Sequence, residues 1–252
     1  MVQLKTAAEI EAMRPACQVA ANTLVMIEEY IKPGITTEKI NQIVHEYTLE
    51  HGGIPAPLNY RGFPKSVCTS VNHVVCHGIP DNKKLKDGDI INVDVTTIID
   101  GWHGDTSKTF YVGKPKVRAQ KLTEVAREAL QIGIDVVKPG ATLGDIGYAI
   151  QSFVEKNRFS VVREYCGHGI GRVFHEDPQV VHFGKQGEGM VIKEGMVFTI
   201  EPMVNAGKHP VKVLNDGWTV VTRDRGLSAQ FEHTLAVHKD GAEILTLPTT
   251  KG

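Results

Sequence analysis

Apolar and polar positions alternate in ways that divide the chain into paired helices and strand-rich stretches. Ile10, Met13, Cys17, Ala20, Leu24 and Ile27 recur at the spacing of one helical face, behind Thr6-Ala7-Ala8-Glu9, which has the form of a capping box. This predicts a helix that ends near Tyr30, before Lys32-Pro33-Gly34. A second helix is predicted from about Thr37, with Ile40, Ile43, Val44 and Tyr47 as its stripe and Gly52-Gly53 as its stop. These stripes read as core. Residues 54–64 carry Pro55, Pro57, Tyr60, Phe63 and Pro64 and read as a loop. Residues 66–75 are strand-like, 76–80 a turn, and 81–86, with three lysines, a solvated loop. Helical patterns return over 118–137, closed by Lys138-Pro139-Gly140, and over 143–157, with Thr142 and Asp145 spaced as a cap. From Val161 onward the chain is β-like and Gly-rich, with strand-like runs at 196–204, 218–222 and 231–237.

The strongest strand signal lies between these blocks. Ile90 to Ile99 is rich in Ile, Val and Thr, Asp100-Gly101 is a preferred two-residue turn, and Trp102 onward returns. That turn sets Ile99 opposite Trp102 and Thr96 opposite Asp105. Asp94 shares a face with Thr96, so Asp94 and Asp105 become diagonal neighbours with Cβ atoms roughly 7–8 Å apart or somewhat less. Two carboxylates aimed at one point can hold cations.

The order helix, Lys-Pro-Gly turn, helix, strand region occurs twice. Lys32-Pro33-Gly34-Ile35-Thr36 matches Lys138-Pro139-Gly140-Ala141-Thr142, and Cys76-His77-Gly78-Ile79 resembles Gly167-His168-Gly169-Ile170. The stretch from Lys86 to Asp94 resembles that from Lys193 to Glu201. Each match alone is weak, but three in one order are not. The repeat pairs Asp94 with Glu201 and His77 with His168. It asks for an acid on a late strand to answer Asp105, and Glu232 is the candidate. Two halves related by a pseudo-twofold axis would bring Asp94, Asp105, Glu201, Glu232 and a histidine to one centre.

Composition narrows the classes. The chain has 252 residues, 41% hydrophobic and 23% charged, enough for a sizeable core. No linker or low-complexity tract divides it, so a single domain over 1–252 is expected, with halves of about 1–113 and 114–252. A net charge of -1 implies no bulk attraction to DNA, other nucleic acid or membrane surfaces. Cys17, Cys68, Cys76 and Cys166 are scattered, which argues against a disulfide framework or zinc ribbon and fits a reducing compartment. The first residues lack a signal-peptide core and nowhere do 18 apolar residues run uninterrupted. A soluble cytoplasmic protein is expected.

Four clustered carboxylates repel and resist ionising unless cations neutralise them. Oxygen-rich ligation with one imidazole suits Mn, Fe(II) or Co and tolerates Zn. Two such ions about 3.5–4 Å apart lower the pKa of a bridging water toward about 7 and orient a carbonyl, an arrangement aminopeptidases use.

The motifs Lys65-Ser66-Val67-Cys68, Val75-Cys76-His77-Gly78-Ile79-Pro80, Asn92-Val93-Asp94-Val95, Gly104-Asp105-Thr106-Ser107, Tyr165-Cys166-Gly167-His168-Gly169-Ile170-Gly171, Thr199-Ile200-Glu201-Pro202-Met203 and Glu232-His233-Thr234 together resemble those of the type I methionine aminopeptidases, in their short bacterial form. They run through nearly the whole chain. The resemblance implies an α+β pita-bread fold: a curved antiparallel sheet backed by two helix pairs, with pseudo-twofold halves. It implies hydrolysis of the initiator Met from nascent chains when the second residue is small, by a family that is usually monomeric. By resemblance Asp94, Asp105, His168, Glu201 and Glu232 match the ligands of two divalent ions, with Asp105 and Glu232 bridging and Glu201 also the general base. His77 matches a substrate-contacting histidine that helps in the proton steps, and His175 the one that hydrogen-bonds the scissile carbonyl. Tyr60, Phe63, Cys68, Phe174 and Trp218 match the methionine pocket. Phe63 is often Tyr in the family and Pro57 stands where Cys is expected. Cys68 is read as a packing wall, because a metal-activated water makes a cysteine nucleophile unnecessary.

Other positions carry less. His45, His51, His182, His209 and His238 are read as surface residues, and neither His103 nor His233 is given a role. Lys208, Lys212, Arg223 and Arg225 flank Trp218, in a loop that is either a weak ribosome contact or simply solvated. The zinc-finger N-terminus of eukaryotic forms is expected to be absent. Two competing readings are a prolidase or Xaa-Pro aminopeptidase, which usually carries an extra N-terminal domain, and a non-catalytic ribosome- or RNA-binding pita-bread module, which typically loses ligands.

Overall fold

The computed structural model describes residues 2–249. Four helices arise where the apolar stripes lie: α1 (Ala7–Glu28), α2 (Thr37–Glu50), α3 (Val117–Val136) and α4 (Leu143–Lys156). The Thr6–Glu9 and Thr142–Asp145 pairs both close reciprocal capping boxes, and Thr36 caps α2 from the position that Thr142 occupies on α4.

The strands are β1 (Ile54–Pro55), β2 (Cys68–Val71), β3 (Val74–Cys76), β4 (Ile90–Ile99), β5 (Trp102–Tyr111), β6 (Ser160–Val161), β7 (Gly167–Gly169), β8 (Glu176–Val180), β9 (Val197–Ile200), β10 (Met203–Asn205), β11 (Val211–Val213), β12 (Val220–Thr222), β13 (Ser228–Gln230), β14 (His233–His238) and β15 (Gly241–Ile244). Every pairing is antiparallel. β1, β2 and β5 gather on β4, while β15-β14-β9-β7-β8 form the largest sheet of the second half. Of two smaller sheets, β11-β12-β3 joins strands of both halves and β13-β10-β6 lies within the second.

Period-two alternation decides which side chains face the helices. Ile91, Val93 and Val95 of β4 pack with Leu24, Ile27, Ile40 and Val44 of α1 and α2. Phe198, Ile200, Leu235 and Val237 pack with Leu122, Ala126, Ile146 and Ile150 of α3 and α4. Each half thus has its own apolar core under a helix pair, and Met13, Cys17, Trp102, Ile170 and Val197 join the two. The opposite faces of β4 and β9 are left for polar residues.

The repeat extends to the hydrogen bonds. Gly34 N–H donates to Leu85 O and Leu85 N–H to Ile35 O, both at 2.8 Å. Gly140 N–H donates to Ile192 O at 3.0 Å and Ile192 N–H to Ala141 O at 2.8 Å. Segment 81–86 is therefore not merely a solvated loop. Leu85 is buried, and the stretch is strapped to the turn ahead of α2 because its apolar residue completes the first core.

The continuous strand expected over 196–204 is two strands. Pro202 has no N–H to give to a ladder, and the chain passes there from the β9 sheet to the β10 sheet. The run expected over 231–237 likewise begins as β14 only at His233, after the chain leaves β13.

Candidate metal and peptidase site

Asp100 and Gly101 take φ of 50° and 78°, the left-handed pair that a tight hairpin turn needs, and the register of β4 and β5 follows from it. Ile99 faces Trp102, and Thr96 faces Asp105. Thr96 Oγ1 donates to Asp105 Oδ1 at 2.7 Å and fixes that carboxylate. Asp94 lies two residues back on the same face, and its carboxylate makes no hydrogen bond to another described side chain.

The other half contributes its two carboxylates from chain breaks rather than mid-strand. Glu201 follows β9 at the Pro202 break, and Glu232 lies between β13 and β14. Glu232 is held by an isolated bridge to Ser107 of β5, with Glu232 N–H donating to Ser107 O at 3.0 Å and Thr106 Oγ1 donating to Glu232 O at 2.7 Å. Asp105 N–H donates to Thr234 Oγ1 at 3.2 Å, and Thr234 Oγ1 donates back to Asp105 O at 2.8 Å. Much of the seam between the halves is therefore a set of threonine hydroxyls. His168 sits on β7, where a bulge beside Gly169 turns its ring inward.

Asp94, Asp105, His168, Glu201 and Glu232 all line one cavity of about 370 Å³. Ligand atoms of Asp105, His168 and Glu232 lie within 4.8 Å of one another. His168 Nε2 is 3.5 Å from Asp105 Oδ2 and 3.6 Å from Glu201 Oε1. The lining holds five carboxylates, Glu164 included, against one permanent cation, Arg61.

Burial pushes the Asp94 and Glu232 carboxyls well above the ordinary range, and the charges of Asp105 and Glu201 push the same way. Glu201 is raised to about 7, by burial first; the Asp105 charge adds to this, while His168 and hydrogen bonds from Thr199 and Gln230 oppose it. For His168, burial pulls downward, but the Asp105 hydrogen bond and the charges of Glu201 and Asp105 outweigh it and hold the imidazole above its usual value. A hard divalent cation is what such a donor set lacks: oxygen ligands, one imidazole and no lysine or arginine among them.

The remaining residues singled out from the sequence line the same cavity: Tyr60, Phe63, Cys68, His77, Phe174, His175 and Trp218. Tyr60, Phe174 and His175 form one wall; the Tyr60 hydroxyl is 2.9 Å from His175 Nδ1, and the Tyr60 and Phe174 ring centroids are 4.8 Å apart. Phe63 and Trp218 meet edge to face at 5.2 Å on the other wall, with His77 between Trp218 and Tyr165. His77 has φ 55°, a backbone state that costs energy and that clusters at working sites. Burial pushes His77 down to about 4, and burial followed by the nearby His168 pushes His175 down to about 3, so both rings are neutral at pH 7. The Cys68 thiol is driven far upward by burial and by Asp94, which fits an inert wall.

Sequence reasoning missed three residues that hold Glu201. Thr199 Oγ1 donates to Glu201 Oε1 at 2.8 Å, Gln230 Nε2 donates to Oε2 at 3.2 Å, and Glu201 N–H donates to His182 Nε2 at 3.0 Å. His182, read as a surface residue, is fully buried: the Gly-rich run after β8 folds back under the Glu201 break, and the imidazole accepts the N–H that no ladder takes there. Thr199 had a signal, because it shares a strand face with Glu201. Of the flanking cations near Trp218, Arg223 is tied to Val211 O at 2.9 Å.

A model of metallopeptidase family M24 matches residues 11–239. The chain belongs to metallopeptidase family M24. A curated relative named methionine aminopeptidase, from Escherichia coli (strain K12), is 56% identical over 98% of this chain and 94% of its own length. The crystal structure of methionine aminopeptidase from Rickettsia prowazekii superposes with a TM-score of 0.97 at 56% identity, covering 98% of this chain and 100% of that one. The prolidase from Pyrococcus furiosus, at 22% identity, shares the fold with a TM-score of 0.78 over 99% of this chain and 66% of its own. These neighbours have the pita-bread fold, and the family resemblance drawn from the motifs is borne out. No helix among the described residues is long and apolar enough to cross a membrane.

Proposed function

We propose that this M24 chain is a methionine aminopeptidase that removes the N-terminal Met of nascent proteins when the second residue is small. The observation that carries the reading is the convergence of four carboxylates and an imidazole at one end of a cavity with aromatic walls. Asp94, Asp105, His168, Glu201 and Glu232 would hold two divalent ions, of which Mn, Fe(II), Co and Zn all suit the donor set. When bound, such ions acidify a water and polarise the scissile carbonyl.

The chain's own groups do the rest. Glu201, kept as a carboxylate by the ions it helps to hold, takes and returns a proton. Thr199 and Gln230 keep both of its oxygens aimed. The Tyr60 hydroxyl lies 2.9 Å from His175 Nδ1; when it donates there, the neutral ring carries its hydrogen on Nε2, the form that donates to a developing oxyanion. Neutral His77 contacts the substrate backbone and helps in the proton steps. Tyr60, Phe63, Cys68, Phe174 and Trp218 exclude water around a methionine side chain, with the un-ionised Cys68 thiol as a soft wall.

The two halves, about 1–113 and 114–252, work as one catalytic domain, as a monomer in the cytoplasm. Sedimentation with ribosomes at low and high salt separates a docking role for Lys208, Lys212 and Arg225 from a solvated loop. The deciding experiment is release of Met from Met-Ala-Ser by metal-depleted protein supplied with each ion in turn. Metal-dependent release is expected; cleavage of Xaa-Pro peptides in its place overturns the reading.

A further inference from the structure

Two charged residues at the cavity, Arg61 and Glu164, are unused by this chemistry. Arg61 lines the cavity and is exposed, so it stands at the mouth. Its backbone is held at φ 49° inside the short turn Tyr60–Gly62, between Asn59 at φ 66° and Gly62 at φ 89°. Its guanidinium lies 5.4 Å from the Tyr60 ring centroid, a cation–π contact, and makes no ion pair among the described residues. Tyr60 is in turn fixed by His175. Arg61 is thus a preoriented, unneutralised cation one residue from the side chain that positions His175. Glu164 also lines the cavity, and its carboxylate accepts from the Arg163 and Val211 N–H groups, at 3.1 and 3.4 Å.

A peptide with its first residue in the aromatic pocket and its scissile carbonyl at His175 must leave past Tyr60, and its third and fourth residues then meet Arg61. We propose that Arg61 is a specificity-determining residue that favours substrates with a carboxylate at the third or fourth position over substrates with a lysine there. This rests on the aminopeptidase reading. It concerns positions outside the methionine pocket, where the second-residue rule does not reach.

The test compares kcat/KM for Met-Ala-Asp-Ser and Met-Ala-Lys-Ser, both amidated at the C-terminus so that no terminal carboxylate competes, in the metal-loaded enzyme, with amidated Met-Ala-Ser-Ser as the neutral reference. The wild type is expected to prefer the acidic peptide by about 2- to 5-fold, the range that exposed charge pairs produce. The preference should shrink toward unity as salt rises from about 0.02 M to about 0.5 M, because the Debye length falls several-fold. Arg61→Glu should invert the ratio, and Arg61→Lys should keep its direction. A wild-type ratio of one, or a ratio unchanged in Arg61→Glu, overturns the assignment. No Met release from the neutral peptide would instead overturn the aminopeptidase reading, and this inference with it.

Discussion

The carboxylate cluster makes a signed prediction about stability without metal. Glu201 rises from an ordinary 4.5 to about 7 in the folded protein. A group whose folded value is raised contributes stability that is fully present below its unfolded value and is lost as pH rises through the folded one. Each pH unit between the two is worth about 1.4 kcal/mol, so ionising Glu201, buried and beside the Asp105 charge, costs roughly 3 kcal/mol, of which about 2–3 kcal/mol falls between about pH 5 and about pH 8. Glu201→Gln removes that titration while keeping the shape. Thr199 can still donate to the new carbonyl, and Gln230, whose Oε1 has no partner, can turn to accept from the new amide. In chelator, the variant should therefore gain on the wild type by about 2–3 kcal/mol on going from about pH 5 to about pH 8, or about 5–10 °C in Tm for a chain of this size. Comparing the two proteins is essential. His77, His175, His182 and His233, held neutral at about 4, 3, 3 and 4, cost the fold stability below about pH 6.5 and mask the effect in either protein alone. They cancel in the difference. Paired thermal melts at the two pH values read it. A difference that does not change with pH, or one that changes with the opposite sign, refutes the reasoning. Saturating divalent ion should restore the wild type's lead by mass action.

Glu201→Gln should also reduce Met release by about 10²–10⁴-fold, read in a coupled assay for free methionine. His175→Ala should lower kcat by about 10²-fold or more with a smaller effect on KM. Thr96→Val, which frees the Asp105 carboxylate, should weaken metal affinity by about 10–100-fold, measured by competition with a chelating dye. A Cβ at Gly104 would lie 2.3 Å from Cys17 N and 2.5 Å from its Cα, so Gly104→Ala must push α1 off β5; a loss of about 1–3 kcal/mol by urea unfolding is expected.

The parts legible in the sequence were those written in local rules. Asp100-Gly101 set the register that puts Asp94 and Asp105 on one face, and the Lys-Pro-Gly repeat led to Glu201 and Glu232 without a contact being known. What stayed hidden depends on chain crossings that no local period encodes. Glu201 and Glu232 occupy breaks between sheets, and their supports come from residues of other elements: His182 beyond β8, Gln230 on β13 and Ser107 on β5. His182 sits in the apolar run Val180-Val181-His182-Phe183, which has no period-two alternation to say which side chains face inward, so its place under the Pro202 break is not written locally. β11, β13 and β15 have three or four residues each, too few for a two-residue period to stand out.

The threonine-bonded seam has a consequence for the order of synthesis. Asp105 and Glu232 are neighbours in space but lie 127 positions apart along the chain, and Thr234, which clasps Asp105, comes later still. A ribosome has made nearly all of the chain before these groups can meet. An unfinished copy of the enzyme is therefore inert, and any trimming of an emerging copy falls to a finished one.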